Sequence, residues 1–518
     1  MTEPAAAQDE PSAGEAESPP GEASPGEASP GEAPPHGSST PAKPPPRAWM
    51  ARESRSRRLL IGLGIYLLCL VVFALVGADR LSAHTPYNHF AHLADAWLHG
   101  RQDLRGGAPA YAMNNDFAVY DGKTFISFPP FPALLMMPLV WIAGSPENFR
   151  DAQFIIWLAG IGPAVLFLVL EKMRRAGRSV RSELENLILA VLFAFGTVYF
   201  YSAVQGTVWF AAHVVGVGLT ALFVLCALDA ERPLLAGLLL GCMFLTRTTT
   251  LLLGTFFVFE LIRASYIKRS EAAALPTDGS LWARIEKTIG GADRRALLVR
   301  GALFTVPILV CLGVAARMNY ERFHDPRPWA FGHEYLTVGW QGRIRRWGLF
   351  SYHFLPRNLG VMLTSLPWRP APNETFGIFP GPIGDLLRSL LHREVGVPFQ
   401  ISGHGVALWF TTPFYFWLLR PKQATYLSWA AFLAALGPLV MNLLYQNSGW
   451  FQFGYRFSND YAILLFVMLA IAIPRFGRAF WFLAVWAVGW NLFGAITFER
   501  PVYSAFYSHD AGAVFPQD

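Results

Sequence analysis

The sequence predicts an all-α membrane protein, a polytopic helix bundle of about 11 crossings with two large non-cytoplasmic loops that carry amphipathic helices. Three observations support this fold class. Of the 518 residues, 53% are apolar and 15% are charged, whereas a soluble domain carries about 25% charged residues. Apolar runs of membrane-spanning length recur along the chain. Of the 42 Lys and Arg residues, 24 fall on one side of those runs.

The crossings are predicted from length, because a membrane helix needs about 20 largely apolar residues. Eleven runs meet or approach that length, and together they define a transmembrane domain at residues 51–500. In chain order the runs are 59–77, 153–171, 185–203, 207–229, 233–246, 248–265, 300–317, 404–420, 424–445, 460–474 and 479–497.

The orientation follows from the basic residues, which concentrate in the cytoplasmic loops of membrane proteins. The flank 43–58 holds six Lys or Arg residues, the loop 171–185 holds five and the segment 263–300 holds eight. If the crossings alternate, the N-terminus is cytoplasmic. The C-terminal tail, residues 501–518, is then non-cytoplasmic.

Two long loops, 78–128 and 319–403, face the non-cytoplasmic side in this topology. Apolar positions repeat at helical spacing over Tyr87–Leu98 in the first loop, which predicts an amphipathic helix on the membrane surface. The second loop shows a helical pattern over Ile383–Leu391. The segment 129–144 is apolar but contains four prolines, so we expect a half-helix or re-entrant element there rather than a crossing.

Residues 1–50 are predicted to be a disordered cytoplasmic tail. They are rich in Pro, Gly, Ser, Ala and Glu, and residues 21–35 repeat a GEASP-like pentamer. Residues 1–40 hold eight carboxylates and neither Lys nor Arg. Such a segment has too little apolar surface to offset the entropy lost on ordering. The formal net charge of +6 therefore combines an acidic tail with a basic membrane domain.

Composition and missing motifs argue against several function classes. The basic residues lie between apolar runs rather than on a solvated face, so nucleic acid is not an expected partner. Cys69, Cys226, Cys242 and Cys311 lie inside apolar runs without metal-ligand spacing. The sequence also has no Walker loop, dinucleotide fingerprint, zinc-protease motif or D-x-D pair. We therefore expect neither a metal site nor a cofactor.

Ionisable residues inside the crossings are the first functional candidates, because a charge is costly in a bilayer. Arg247, His213 and Glu260 fall there. Arg247 lies among threonines after a short helix, a setting that suits bidentate binding of a phosphate. The alternative is that Arg247 caps helix-end carbonyls or snorkels to lipid head groups.

A second candidate cluster precedes the tenth crossing, where residues 449–460 have the sequence GWFQFGYRFSND. Arg456 provides a cation at the membrane surface. Tyr455 and the neighbouring aromatic residues suit stacking on a sugar or a prenyl chain. The alternative is an interfacial belt, which Trp and Tyr form in many membrane proteins.

Carboxylates of the outer loops are the candidates for a general base. Asp95 is predicted on the polar side of the first surface helix, and Asp116 lies shortly before the proline-rich segment. Asp121 precedes Gly122, a pair typical of a tight turn, so we interpret it as structural. For each carboxylate the alternative is solvation or a salt bridge.

The order of several short motifs over residues 59–497 resembles the polytopic GT-C glycosyltransferases. The resemblance is to bacterial relatives of protein O-mannosyltransferases and of the lipid A aminoarabinose transferase. The motifs are the first outer loop with its surface helix at Tyr87–Leu104, FPPFPAL at 128–134, AGLLLG at 236–241 leading to Leu245–Arg247, and FGYRF at 453–457.

The resemblance implies an enzyme of a bacterial inner membrane that transfers a hexose or pentose from a polyprenyl-phosphate carrier. The acceptor is a lipid, glycan or protein on the non-cytoplasmic face, and membrane lipids surround the enzyme. In the family, basic residues hold the carrier phosphate. The matching motifs of this sequence contain Arg247 and Arg456, which the resemblance therefore implies as the phosphate-binding residues. The substrate-binding set then also includes Tyr87, Asn88 and Tyr455.

The sequence departs from the family at the acidic residue that acts as the general base. In many members this acid comes a few residues after the first crossing, where the present chain has Asn88, which cannot accept a proton. Either Asp95 or Asp116 is then the base, or the chain is an inactive homologue. A transporter or flippase of a lipid-linked substrate is the competing class, although such proteins carry more midplane charge and internal repeats.

Overall fold

The protein is mostly helical in its computed structural model, which describes residues 54–113, 116–270, 275–276, 278–369, 376–421, 425–473 and 475–509. The predicted disordered tail, 1–50, lies outside the described residues, as do residues 510–518 of the C-terminal tail. The helical content agrees with the predicted fold class, and the described part adds four short strands.

The α-helices follow one another closely along the chain. In order they are α1 (Arg55–Val76), α2 (His89–Leu98), α3 (Phe131–Ala143), α4 (Asp151–Ala159), α5 (Ile161–Arg175), α6 (Glu183–Phe195), α7 (Tyr199–Ala203), α8 (Val208–Ala227), α9 (Pro233–Phe244), α10 (Gly254–Ser270), α11 (Leu281–Gly291), α12 (Arg294–Phe323), α13 (Gln341–Trp347), α14 (Leu355–Thr364), α15 (Gly381–Leu391), α16 (Leu408–Thr411), α17 (Tyr426–Leu444), α18 (Ala462–Ala472) and α19 (Arg478–Thr497).

Short 3₁₀ helices and strands connect these elements. The 3₁₀ helices are Ala78–Arg80, Ala110–Ala112, Leu228–Ala230, Thr248–Leu253, His333–Tyr335, Tyr352–Phe354, Pro413–Leu419, Arg456–Asp460 and Pro501–Phe506. Strands β1 (Phe117–Tyr120) and β2 (Lys123–Ile126) form an antiparallel hairpin. Strands β3 (Ile401–Ser402) and β4 (Tyr507–Ser508) pair in parallel. The β1–β2 turn contains Asp121 and Gly122, both with positive φ, so the predicted turn is confirmed.

Seven helical segments in the described residues are long and apolar enough to cross a membrane, and the chain is an integral membrane protein. They differ in how far protein surrounds them: 83% of the apolar window in Val208–Ala230 is buried, against 17% in α12. The segment containing α8 is therefore central and α12 is peripheral. The seven segments are Arg55–Val76, Asp151–Arg175, Val208–Ala230, Thr248–Ile267, Arg294–Phe323, Tyr426–Leu444 and Arg478–Thr497.

The other four predicted crossings are shorter or interrupted. Runs 233–246 and 460–474 contain the short apolar helices α9 and α18. Run 185–203 is divided between α6 and α7, because the helix ends at Gly196. We predicted run 404–420 as a crossing, but it is not one continuous α-helix in the structure. Thr412 precedes Pro413 and adopts a φ of −137°, since a residue before proline avoids the helical region.

The segments predicted at Tyr87–Leu98, 129–144 and Ile383–Leu391 each contain a helix, but the surroundings of the first differ from expectation. Helix α3, in the proline-rich segment, has 13 residues, a length of about 20 Å. That is less than the ~30 Å of hydrocarbon in a bilayer. Helix α2 buries Phe90 and Leu93 and packs against α3, so protein covers the apolar face that we expected on the membrane. Helix α15 leaves Ile383 61% and Leu390 66% exposed.

Close packing of α9 against α12 depends on two glycines. A Cβ at Gly237 would lie 2.0 Å from the carbonyl oxygen of Phe304, and one at Gly241 would lie 2.5 Å from the Sγ of Cys311. Small residues four apart let membrane helices approach closely. Because α9 leads directly to Arg247, this contact also positions a candidate site residue.

We predict that Gly237→Ala lowers the free energy of unfolding by about 1–3 kcal/mol, because the new methyl group displaces the α12 backbone. Thermal unfolding of the purified protein in detergent measures the change. Gly313→Ala on α12 is the matched control, since a Cβ at Gly313 meets nothing within 4 Å. A glycine in a helix costs about 1 kcal/mol relative to alanine, so the control is expected to be neutral or stabilising. Equal effects in both variants would contradict the packing argument.

Candidate functional site

A cavity of about 650 Å³ lies where several distant parts of the chain meet. The charged side chains that line it are Asp116, Arg247, Arg343, Arg456 and Glu499. Its other lining residues are Tyr87, Ser127, Phe128, Pro129, Trp209, Ala212, His213, Thr246, Thr248, Thr249, Trp329, His333, Trp340, Leu349, Phe350, Asn442, Tyr445, Gln446, Asn447, Trp450, Phe451, Phe457 and His509. The cavity thus combines ionic groups with an aromatic wall, a combination suited to a sugar phosphate.

Asp116 reaches the cavity from the start of the β1–β2 hairpin. Its backbone has a φ of +62°, a conformation that Asp tolerates better than most residues. The hydroxyl of Ser127 donates to the Asp116 carbonyl at 2.7 Å, and the Trp209 indole donates to the carboxylate at 2.8 Å. These bonds hold the carboxylate at the cavity wall and leave its other oxygen available.

The surroundings of Asp116 favour its protonated form. Burial raises the pKa of the Asp116 carboxyl to about 6, although the Trp209 hydrogen bond and the charge of Arg456 act in the opposite direction. A carboxyl with a pKa near 6 is ionised at neutral pH, yet it binds a proton more readily than an ordinary aspartate. Both properties suit a general base.

Arg247 lies on the cavity but is already paired. It connects α9 to the following 3₁₀ helix, and its Nε and Nη2 donate to the two carboxylate oxygens of Asp460, the second at 2.8 Å. Asp460 is 1% exposed and also accepts from Asn442 at 2.9 Å, while His213 Nδ1 lies 3.3 Å from its Oδ1. Arg247 itself remains 18% exposed. The charges of Arg247 and Asp460 largely cancel, so Arg247 offers the cavity hydrogen-bond donors but little net positive charge.

Arg456 is a second cavity cation, and its guanidinium packs against aromatic rings. Its guanidinium lies 4.9 Å from the Phe210 ring and 5.7 Å from the Phe457 ring. In the described part of the chain no carboxylate lies within ion-pair distance of it, and its buried Nε has no hydrogen-bond partner there. Arg456 thus keeps a desolvated positive charge, which an anionic ligand would neutralise.

The structure brings together some of the predicted site residues and not others. Arg247, Arg456, Asp116 and Tyr87 line the cavity. The remaining three, Asp95, Asn88 and Tyr455, are not among its described lining residues.

Each of these three residues has another environment. Asp95 Oδ1 lies 3.4 Å from Nδ1 of His99, the residue that follows α2, and that nitrogen lies 2.9 Å from the Asp95 backbone carbonyl. Asn88 is 3% exposed, and it donates to the Pro146 carbonyl and accepts from Tyr111. Tyr455 is fully buried in an apolar cluster with Val361. The substrate-binding role of Asn88 and Tyr455 stays a prediction, and their contacts resemble those of packing residues.

The sequence analysis assigned no role to three residues that bear on this site, Asp460, Trp209 and Glu499, although Asp460 ends the second candidate cluster. Asp460 is the first residue of the predicted crossing 460–474, so the expectation that a charge inside a crossing is functional applies to it as well. Trp209 cannot be told from an interfacial tryptophan by sequence alone. Glu499 precedes Arg500 after the last crossing and has the pattern of a solvated flank. Glu260, the third ionisable residue predicted inside a crossing, is 0% exposed and paired with Arg178.

Comparisons with known proteins find similarity only at the level of structure. No protein-family model and no curated protein sequence matches the chain. Three solved structures of the oligosaccharyltransferase of Archaeoglobus fulgidus are similar, one tethered to an acceptor peptide, one in complex with an inhibitory peptide and a dolichol-phosphate, and one in the apo form. That enzyme is a GT-C glycosyltransferase, the superfamily that the sequence motifs resemble.

The extent of this similarity is limited. The TM-scores are 0.34 to 0.37 and the sequence identities 14% to 15%. The alignments cover 83% to 88% of the present chain and 54% to 57% of the oligosaccharyltransferase, so the chain spans little more than half the length of these structures.

Proposed function

We propose that the protein is a membrane glycosyltransferase that transfers a sugar from a polyprenyl-phosphate carrier to a lipid, glycan or protein acceptor. The observation that carries the proposal is that one cavity contains both an ionisable carboxylate, Asp116, and a guanidinium without a carboxylate partner, Arg456. Transfer from a sugar phosphate needs both groups, a base for the acceptor and a cation for the leaving phosphate.

The proposed reaction is a single displacement at the anomeric carbon. The acceptor hydroxyl loses its proton to the Asp116 carboxylate as its oxygen forms the new bond to the anomeric carbon. The bond between that carbon and the phosphate oxygen breaks, and its electrons remain on the phosphate. Arg456 and the free donors of Arg247 stabilise the resulting charge. Attack from the side opposite the phosphate inverts the anomeric configuration.

The membrane setting completes the proposal. The basic residues predict a cytoplasmic N-terminus, which places the long loops, and with them Asp116, on the non-cytoplasmic face. In a bacterial cell this is the outer side of the inner membrane. The transferred sugar is a hexose or a pentose, and the aromatic residues of the cavity suit stacking against its ring.

A transfer assay tests the proposed function. The purified protein in lipid nanodiscs is incubated with radiolabelled polyprenyl-phosphate hexoses and pentoses and with candidate lipid, glycan and peptide acceptors. We expect label to move to an acceptor and free polyprenyl phosphate to appear in equal amount. Transbilayer movement of intact donor in proteoliposomes, without transfer to any acceptor, would instead support the flippase alternative.

The rate of transfer should depend on pH through Asp116. Because its pKa is raised from 3.8 to about 6, the carboxyl is protonated below about pH 6 and cannot accept a proton from the substrate. We expect kcat to fall as the pH decreases through that value. The raised pKa makes Asp116 favour the folded state at low pH, an effect that is lost as the pH rises through about 6. Titration of Asp116 thus predicts that acid lowers the activity without unfolding the protein. A kcat that does not change between pH 5 and pH 8 would contradict the assignment of Asp116 as the general base.

A further inference from the structure

A second carboxylate, Glu499, faces the same cavity from the residue pair that follows α19. Its side chain is accessible within the cavity, and no donor in the described chain bonds to it. Asp116, by contrast, already accepts a hydrogen bond from Trp209. Glu499 therefore has its full acceptor capacity directed at whatever occupies the cavity.

The backbone holds Glu499 in an unusual conformation. Its φ is +52°, in the left-handed region that costs free energy for any residue with a Cβ. Both neighbours are anchored: Arg500 donates to Asp79 at 2.7 Å and to the Val76 carbonyl at 2.6 Å, and the Phe498 carbonyl accepts from Arg80 at 2.9 Å. Strain of this kind persists where the surroundings determine the backbone, and it is concentrated at functional sites.

Glu499 also lies in the electric field of the proposed phosphate-binding residue. Although the Glu499 side chain is accessible from the cavity, the surrounding protein desolvates its carboxyl and raises its pKa, and the charges of Arg80 and Arg456 counteract that effect. Arg456 likewise acts on Asp116, so the two carboxylates share this guanidinium as a neighbour. Because Asp116, Arg456 and Glu499 line the same cavity, a sugar bonded to a phosphate at Arg456 would enter the space that both carboxylates line.

We propose that Glu499 recognises the transferred sugar by accepting hydrogen bonds from its ring hydroxyl groups. This inference rests on the transferase function proposed above. A carboxylate offers two oxygens and no donor, so it selects ligands that present hydroxyls to it. A site built for a hydroxyl rejects an analogue without one, because its acceptor is then left unpaired. Glu499 is thus a specificity-determining residue, and Asp116 remains the base.

Equilibrium binding tests this role without turnover. Full-length protein carrying Asp116→Asn is reconstituted in nanodiscs and titrated with polyprenyl phosphate, with a polyprenyl-phosphate hexose and with analogues of that hexose that each lack one hydroxyl. We expect Glu499→Gln to weaken binding of the hexose about tenfold, the effect of replacing a charge-assisted hydrogen bond with a neutral one. Binding of sugar-free polyprenyl phosphate should not change. Glu394→Gln, an exposed carboxylate of the second long loop, is the matched control.

The proposal further predicts that one deoxy analogue binds equally well to the Glu499→Gln variant and to the protein with Glu499 intact, because the lost hydroxyl and the lost carboxylate are partners. A second variant, Glu499→Gly, suits the positive φ and should unfold at the same or a higher temperature while losing the same selectivity. An equal loss of affinity for the sugar-free carrier, or unchanged affinity for the hexose, would overturn the role of Glu499. If neither probe binds the protein with Glu499 intact, the transferase proposal itself fails.

Discussion

Asp116→Asn is expected to lower the kcat of sugar transfer by about 10²–10⁴, the usual contribution of a positioned general base. Asparagine has nearly the same shape, and its amide oxygen still accepts the Trp209 hydrogen bond that the carboxylate accepts at 2.8 Å. Only the ability to take a proton is lost. KM for the donor should therefore change little, and steady-state kinetics with a radiolabelled polyprenyl-phosphate sugar separate the two parameters.

Two further aspartates of the same loop make this experiment decisive. Asp95→Asn tests the competing assignment, in which the surface-helix carboxylate is the base. Because Asp95 is not among the described lining residues of the cavity, we expect its variant to keep a kcat close to that of the wild type. Asp103→Asn is the matched control for the loop. A kcat that falls in the Asp95 variant and not in the Asp116 variant would contradict our assignment.

Asp460→Ala is expected to lower the free energy of unfolding by about 3–5 kcal/mol, because it leaves the largely buried guanidinium of Arg247 without its counter-ion. It also removes one of the two acceptors of the Asn442 amide, which donates to Asp460 at 2.9 Å and to the Phe457 carbonyl at 3.3 Å. Thermal unfolding in nanodiscs measures the loss. The exposed pair between Arg317 and Glu321 is the matched control, since Glu321→Ala should cost at most about 1 kcal/mol.

A double variant separates the structural role of this pair from its role in transfer. Replacing both partners with apolar residues, as in Arg247→Met with Asp460→Leu, removes two buried charges together and should restore much of the stability. Transfer should not recover, because the donors that Arg247 presents to the cavity are gone. Recovery of transfer with stability would show that Arg247 only holds the fold together. Equal stability losses for Asp460→Ala and Glu321→Ala would contradict the buried-pair interpretation.

The positions of most helices follow from local sequence. A run of apolar residues in a mostly apolar chain has few alternatives to a helix, because a bilayer leaves no water to bond the backbone. Seven of the predicted runs correspond to long helical segments for this reason. Local chemistry also identified the turn at Asp121 and Gly122 and the guanidinium of Arg456. The interruption before Pro413 was within reach of the same reasoning.

The chemistry of the candidate residues was therefore accessible from the sequence, but their partners were not. Arg247 was recognised as an isolated charge, whereas its counter-ion lies 213 residues further along the chain. Asp95 and Asp116 were equivalent as acidic residues of one loop. The fold separates them, because α2 keeps Asp95 beside His99 and the β1–β2 hairpin brings Asp116 to the cavity.

By itself the sequence determined a membrane-embedded helical chain with a few costly charges, because hydropathy and residue type are properties of short segments. The tertiary structure alone decided which charges meet, which are neutralised and which face the cavity. Glu499 shows the difference most directly: its neighbours Phe498 and Arg500 are held by groups more than 400 residues away, and only those contacts turn an ordinary flanking glutamate toward the site.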